Sequence, residues 1–154
     1  MKRYEAIVVA VAVILCIFAP HESQGALPVR TASVSDICGT RTDTVRNVPE
    51  KLKRQVYARD GIAYGVRPAT CGKELYCYEV DHRISLELGG SNDAANLMVQ
   101  PYFGSCNAHD KDKLENKLHR LICAGELQVP VAQDLIYNHW IDGYKKYIDA
   151  NGCE

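Results

Sequence analysis

The sequence has no apolar run long enough to cross a bilayer, no C-x-x-C pair, no internal repeat and almost no net charge. Each absence excludes something. The longest apolar run, Ile7–Phe18 (IVVAVAVILCIF), falls well short of the roughly 20 residues that a spanning helix needs. The cysteine spacings fit no zinc ribbon or zinc finger, which sets aside the usual small zinc modules. A formal net charge of −1 removes the simplest electrostatic argument for binding a polyanion. Ser85 has no base at a motif spacing, so the chain is not read as a serine hydrolase.

What is present points outward from the cell. Met1-Lys2-Arg3 is a short basic start, the apolar run follows, and Pro20, His21, Glu22 and Ser23 break it. Small residues Ser23 and Gly25 stand three and one before a cut ahead of Ala26. This is the pattern of a secretory signal peptide over residues 1–25. The bulky Leu15 before Cys16 argues against a lipoprotein. The expectation is a secreted or periplasmic protein, with no stable membrane association once the signal is cleaved. Residues 26–154 then form one domain, expected to be monomeric. Losing Lys2, Arg3, Glu5 and Glu22 leaves its net charge unchanged.

The six cysteines beyond the signal, Cys38, Cys71, Cys77, Cys106, Cys123 and Cys153, read as a disulfide framework for an exported domain. Each bridge would stabilise the fold by about 2–4 kcal/mol. The expected pairing is Cys71–Cys77 as a local loop, Cys106–Cys123 bracketing one helix and Cys38–Cys153 tying the ends, although sequence permits others.

Charge is neutral overall but not evenly spread. Arg41, Arg46, Lys51, Lys53, Arg54, Arg59 and Arg67 are opposed between positions 41 and 67 only by Asp43, Glu50 and Asp60. Such a stretch can follow a phosphate backbone, or it is simply a solvated helix face. Residues 26–46 show no period and read as an extended lead-in. Asn47 and Glu50 can form a capping box with Pro49 in the first turn of a short helix carrying Leu52 and Val56. Residues 62–73 read as loop. Leu75–Ile84 (LYCYEVDHRI) is rich in aromatic and β-branched residues and predicts a strand. Gly89-Gly90-Ser91-Asn92-Asp93 is a turn cluster, and Asn96–Val99 a short return strand. Asn107–Cys123 predicts a helix with Leu114, Leu118, Leu121 and Ile122 on one face, stopped by Gly125. A last helix opens at Pro130 and runs to Asn151-Gly152, its buried stripe being Leu135, Ile136, Trp140, Tyr144 and Tyr147. These aromatics keep helical period and read as core, not as a base-stacking platform.

The fold class is α+β, with strand, loop, strand and helix in succession around Asp81-His82. Such a β-β-α unit brings a hard carboxylate oxygen (Asp81), an amide oxygen (Asn107) and an imidazole (His82) to one place. Two oxygens plus water suit Mg²⁺, which binds through few protein ligands. An imidazole beside the ion can take a proton from water near neutral pH. A metal and a base together are what phosphodiester hydrolysis requires.

The run Tyr78-Glu79-Val80-Asp81-His82-Arg83-Ile84-Ser85-Leu86-Glu87-Leu88-Gly89-Gly90-Ser91-Asn92-Asp93, then Asn96-Leu97, resembles the HNH endonuclease motif, and Asn107–Glu115 resembles its helical part. Ile37-Cys38-Gly39-Thr40-Arg41 and the final Trp140 segment are more loosely similar to small exported members of the group. The resemblance implies a ββα-metal (His-Me finger) core over about residues 75–123, with flanking helices and disulfide staples. It implies a metal-dependent endonuclease that hydrolyses phosphodiester bonds with little sequence preference, DNA favoured over RNA. His82 matches the general base, Asp81 the first metal ligand and Asn96 the middle asparagine that pins the loop. Asn107 matches the last metal ligand, with His109 as the alternative because the common pattern ends in His. The cofactor would be one divalent ion, Mg²⁺ first, with Mn²⁺ or Zn²⁺ as alternatives. Candidate phosphate contacts are Arg83, Lys111 and Arg54; the competing reading of Lys111 is a plain surface lysine. A catalytically inactive nucleic-acid-binding module and a secreted effector acting on a protein are the alternatives from other classes.

Overall fold

The computed structural model describes residues 26–73 and 76–153. The expected signal peptide and the start of the expected strand at Leu75 lie outside the described residues. The chain forms α1 (Val34–Gly39), α2 (Thr42–Val45), α3 (Glu50–Arg59), β1 (Tyr78–His82), β2 (Leu97–Pro101), α4 (Ala108–Cys123), α5 (Val129–Asn138) and α6 (Trp140–Tyr147). The architecture is therefore α+β, with a small antiparallel sheet. No helix among the described residues is long and apolar enough to cross a membrane.

β1 and β2 pair from Tyr78↔Pro101 to His82↔Leu97, so Asp81-His82 end the first strand just where the second begins. The helical core lies to one side. Leu114, Leu118 and Ile122, spaced by four along α4, are fully buried against Ile37 of α1, Ile84 and Leu88 of the inter-strand loop, and Val129, Ala132, Ile136 and Tyr144 of α5 and α6. On the other side α3 braces the sheet. The Arg59 guanidinium donates to the carbonyls of Ala94 (2.7 Å) and Leu97 (2.5 Å), and Asp60 Oδ2 accepts from the Val99 N–H at 2.8 Å. Arg59, counted above in the basic stretch, thus serves as a clamp on the return strand.

Several expectations need correction. Residues 26–46 are not simply extended, because they contain α1 and α2. A six-residue and a four-residue helix are too short to display a period. No capping box forms at α3: Pro49 is the N-cap, no side chain caps the helix, and the Asn47 N–H instead donates to Asn92 Oδ1. The last helix is two helices. His139 leaves the helical region (φ −142°, ψ 35°), and α6 turns so that Gly143 lies against Leu114 and Leu135. A Cβ at Gly143 would stand 3.1 Å from both side chains, so the close approach depends on glycine.

The disulfides are Cys71–Cys77, as expected, together with Cys38–Cys123 and Cys106–Cys153 in place of Cys106–Cys123 and Cys38–Cys153. α4 is thus not bracketed by one bridge. Its C-terminal end is tied to α1, and the residue before its N-cap is tied to the chain's end. Three bridges fit an oxidising compartment. Cys38–Cys123 spans 85 residues and Cys71–Cys77 only 6. Loop-closure entropy predicts that replacing the first pair with alanine costs about 4–5 kcal/mol and the second about 2 kcal/mol. Urea unfolding of the two double variants checks that order.

Candidate active site

The end of β1 presents Asp81 and His82 in different settings. Asp81 keeps its side chain 13% exposed, whereas His82 is 1% exposed. Behind both lies Lys111, in the first turns of α4, with no exposed surface. Its ammonium donates to Asp81 Oδ2 and to the His82 carbonyl, each at 2.7 Å, and to Glu115 Oε1. One cation spans three acceptors and fixes the backbone and the carboxylate of the pair together. Lys111 is therefore neither a surface lysine nor placed to contact a phosphate, and both readings are corrected. Burial opposes its charge, but the Glu115 and Asp81 carboxylates outweigh that and hold its pKa above the ordinary lysine value. One ammonium is shared between two carboxylates, and burial pushes the Glu115 carboxyl up to about 8.

With Oδ2 of Asp81 held by Lys111, Oδ1 makes no hydrogen bond among the described residues. This is the oxygen left to a cation, and ligation through it would be one-toothed.

The imidazole of His82 has a defined tautomer. Asn92 Nδ2 donates to the Val45 carbonyl at 2.8 Å, and Asn92 Oδ1 accepts from the Asn47 N–H at 3.1 Å. The amide is thereby oriented with its oxygen toward His82 Nε2, 3.1 Å away. An acceptor facing Nε2 requires the proton to be there, which leaves the lone pair on Nδ1. Nδ1 is buried and has no protein partner. Burial is the largest influence on His82 and lowers its pKa, with the Asn92 hydrogen bond opposing. The group at rest is a neutral imidazole with one acceptor nitrogen unspent. An unpaired buried acceptor is unfavourable, and a water at Nδ1 would relieve it.

The loop that carries His82 into the return strand is held by Asn96, which is fully buried. Its Oδ1 accepts from the Ile84 N–H at 2.9 Å, and its Nδ2 donates to the carbonyls of Ile84 (2.9 Å) and Ser91 (2.8 Å). Gly90 is what lets the loop close on it. A Cβ there would lie 1.8 Å from the Ile84 carbonyl oxygen and 2.8 Å from Asn96 Nδ2. Gly90→Ala is expected to lower stability by about 2–3 kcal/mol through this clash, read from the midpoint of urea unfolding.

Asn107 departs from its expected role. It is the N-cap of α4, and its Oδ1 accepts from the N–H groups of His109 (2.9 Å) and Asp110 (3.3 Å) in a full capping box with Asp110. Its Nδ2 donates to the Gly104 carbonyl at 2.8 Å. The amide oxygen is thus engaged at the cap, which favours His109, the alternative, as the ligand from this helix. His109 is exposed, and its ring stands 5.0 Å from that of Tyr102. Tyr102 donates to Glu79 Oε2 at 2.6 Å. Asp112 completes the group. Its carboxyl is raised first by desolvation and then by the Asp81 charge, with Lys111 first and then His109 and Arg46 opposing. Glu79 is raised in the same way, first by desolvation, then by Asp81 and Asp112 once the Tyr102 hydrogen bond has opposed it. The Asp81 charge thus acts on both Glu79 and Asp112. No three of Glu79, Asp81, His109 and Asp112 bring their ligand atoms within 4.8 Å of one another. The oxygen-rich chemistry of these side chains is the kind that suits a hard ion keeping several waters.

The remaining candidates lie elsewhere. Arg83 stands over the Tyr137 ring of α5 at 5.8 Å, and its charge acts on Asp60. Arg54 stands over Tyr64 at 4.4 Å and pairs with Glu50 at 3.3 Å. Neither is among the groups around Asp81, whereas the charge of Arg46 acts on both His82 and Asp112. Nothing in the sequence marks Asn92, Asp112, Glu79 or Tyr102 as site residues. Asn92 reads only as a turn residue, and Asp112 lies five residues beyond Asn107 with no motif of its own. A compact group elsewhere, Cys38, His119 and Cys123, resembles a metal site by proximity. Its two sulfurs are joined in a disulfide, so no thiolate remains to ligate. No protein-family model, curated protein or solved structure gives a match to this chain.

Proposed function

We propose that this chain is an exported, metal-dependent phosphodiesterase of the HNH type, a ββα-metal nuclease acting on nucleic acid, with DNA the favoured substrate. The observation that carries the reading is the pairing at the end of β1. A neutral imidazole with its acceptor nitrogen unspent adjoins a carboxylate with one oxygen held and the other unspent. The succession β1, β2 and α4 around that pair supports the same reading, as do the Gly89-Gly90 and Asn96 features that shape its loop. The disulfides, together with the expected signal peptide, support a secreted or periplasmic location.

Asp81 Oδ1 and His109, with Asp112 close by, are the groups that would hold a divalent ion, Mg²⁺ first. When bound, the ion would supply positive charge against the phosphate and the departing oxygen. The protein's own part is separable. Nδ1 of His82 accepts a proton from a water as that water attacks phosphorus. Asn92 keeps the opposite nitrogen protonated, so that the base does not turn its donor side to the water. Lys111 prevents Asp81 from rotating, and Arg46 contributes positive charge toward the incoming backbone.

The assignment of His109 over Asn107 has a separable outcome. His109→Ala should raise the Mg²⁺ or Mn²⁺ concentration for half-maximal cleavage by about 10- to 100-fold. Asn107→Ala should instead lose about 1 kcal/mol of stability with the cap. Metal titration and urea unfolding of both variants check the pair.

Digestion of plasmid DNA by the oxidised protein, with Mg²⁺ and with EDTA beside it, tests the function. Cleavage that needs the metal is expected. No cleavage of DNA or RNA with Mg²⁺, Mn²⁺ or Zn²⁺ would overturn it and favour an inactive nucleic-acid-binding module on the same scaffold.

A further inference from the structure

Five of the tyrosines meet on one side of the sheet. Two adjoining clefts of about 290 Å³ and 460 Å³ share Tyr57, Tyr64, Tyr76 and Tyr78, and the larger extends along Glu79 and Val80 to Tyr102. It therefore runs up to the strand residues immediately before Asp81. Two of its rings are costly to leave in water: Tyr64 is 42% exposed and Tyr76 is 68% exposed. Tyr64 is nevertheless held in a set position. It meets Tyr57 edge-on at 5.0 Å, lies under the Arg54 guanidinium at 4.4 Å and donates to Glu50. A fixed, exposed ring is a prepared surface rather than a loose one.

Cations outnumber acids around these rings. Arg46 and Lys53 line the larger cleft and form no ion pair among the described residues, and Arg67 lines the smaller. The acid in the lining, Glu79, is covered by the Tyr102 hydroxyl. Cations beside neutral phenol rings match phosphates alternating with flat bases. An uncharged oligosaccharide would also stack on the rings but would leave Arg46 and Lys53 without a counter-charge. A duplex would satisfy the cations but keeps its bases stacked inside, out of reach of the rings.

From this arrangement we propose that the tyrosine cleft binds single-stranded nucleic acid, stacking unpaired bases on Tyr64 and Tyr76 and leading the strand to the end of β1. The proposal rests on the nuclease reading for its direction and deepens it by naming the substrate class: single strands, or locally opened ones.

The test is binding in EDTA, where cleavage plays no part. Fluorescence anisotropy compares a labelled oligothymidylate with a duplex of equal length, on the oxidised protein, its Tyr64→Ala/Tyr76→Ala variant, its Tyr64→Phe/Tyr76→Phe variant and Tyr76→Ala alone. The single strand is expected to bind at least about tenfold tighter than the duplex, and the double alanine variant to lose about tenfold or more. The phenylalanine pair should stay within about twofold, because stacking needs the ring and not the hydroxyl. Tyr76→Ala alone, at the most exposed position, should show a loss with unfolding unchanged. Equal affinity for single strand and duplex, or alanine variants that bind like the parent, would overturn the proposal. Single-strand binding with no metal-dependent cleavage would leave it standing while removing the nuclease reading, and cleavage without single-strand preference would do the reverse.

Discussion

Lys111→Met is expected to destabilise the protein by about 3–5 kcal/mol, the largest loss foreseen for any single surface-neutral change in side-chain length. The ammonium is fully buried and is shared by Asp81 Oδ2, the His82 carbonyl and Glu115. Methionine fills much the same volume but leaves the buried Glu115, the half-buried Asp81 and a carbonyl without their donor. Breaking one partner of a buried ion pair is costly for that reason, even where the intact pair contributes little net stability. Lys111→Arg should not rescue fully, since a planar fork does not fit a cavity shaped for three converging acceptors. Lys111→Met/Glu115→Gln should recover part of the loss, because the amide needs no ammonium beside it and carries its own donor. Urea unfolding of the three proteins measures this. If Lys111→Met unfolds at the parent's midpoint, the ammonium does not hold Asp81 and His82 together.

This buried lysine was partly legible beforehand. Lys111, Leu114, Glu115, Leu118 and Ile122 follow the spacing of one helix face, so the lysine falls on the buried stripe of α4. Read by residue type it belonged outside; read by position it belonged inside, with Glu115 one turn on as its partner. Asn107 followed the same course. Asn at a helix start with an acid three residues later is a capping signal, and a side chain spent on a cap is not spare for a metal. The strand, turn, strand and helix around Asp81 were legible because each is specified locally, by alternation, glycines and period. The disulfide pairing was not, since it depends on which helix ends meet in space. The break at His139 was equally hidden. Helical period runs straight through it, and the turn there accompanies the approach of Gly143 to Leu114, a contact between elements far apart in the chain. α1 and α2 escaped notice because short helices on a polar segment carry no stripe to read. The tyrosine cleft draws on residues 46–102, and only the folded chain gathers them.

The second large effect concerns the base itself. His82 offers a lone pair on Nδ1 only because Asn92, held by Val45 and Asn47, keeps the proton on Nε2. Removal of a general base costs about 10²- to 10⁴-fold in rate. Asn92→Ala should cost less, because the correct tautomer remains one of the two available to a free imidazole; a loss of about tenfold is reasonable for a misoriented base. Neither residue belongs to the core cluster on α4, but His82 is itself buried, so His82→Ala should also cost stability and the rate is read per folded molecule.

Single-turnover cleavage of DNA at saturating Mg²⁺, comparing the parent, Asn92→Ala and His82→Ala, is the most direct measurement. The expected order is parent, then Asn92→Ala, then His82→Ala, with the last about 10²-fold or more below the first. A His82→Ala protein that cleaves at the parent rate would contradict the account, since the imidazole at the end of β1 would then not be the base.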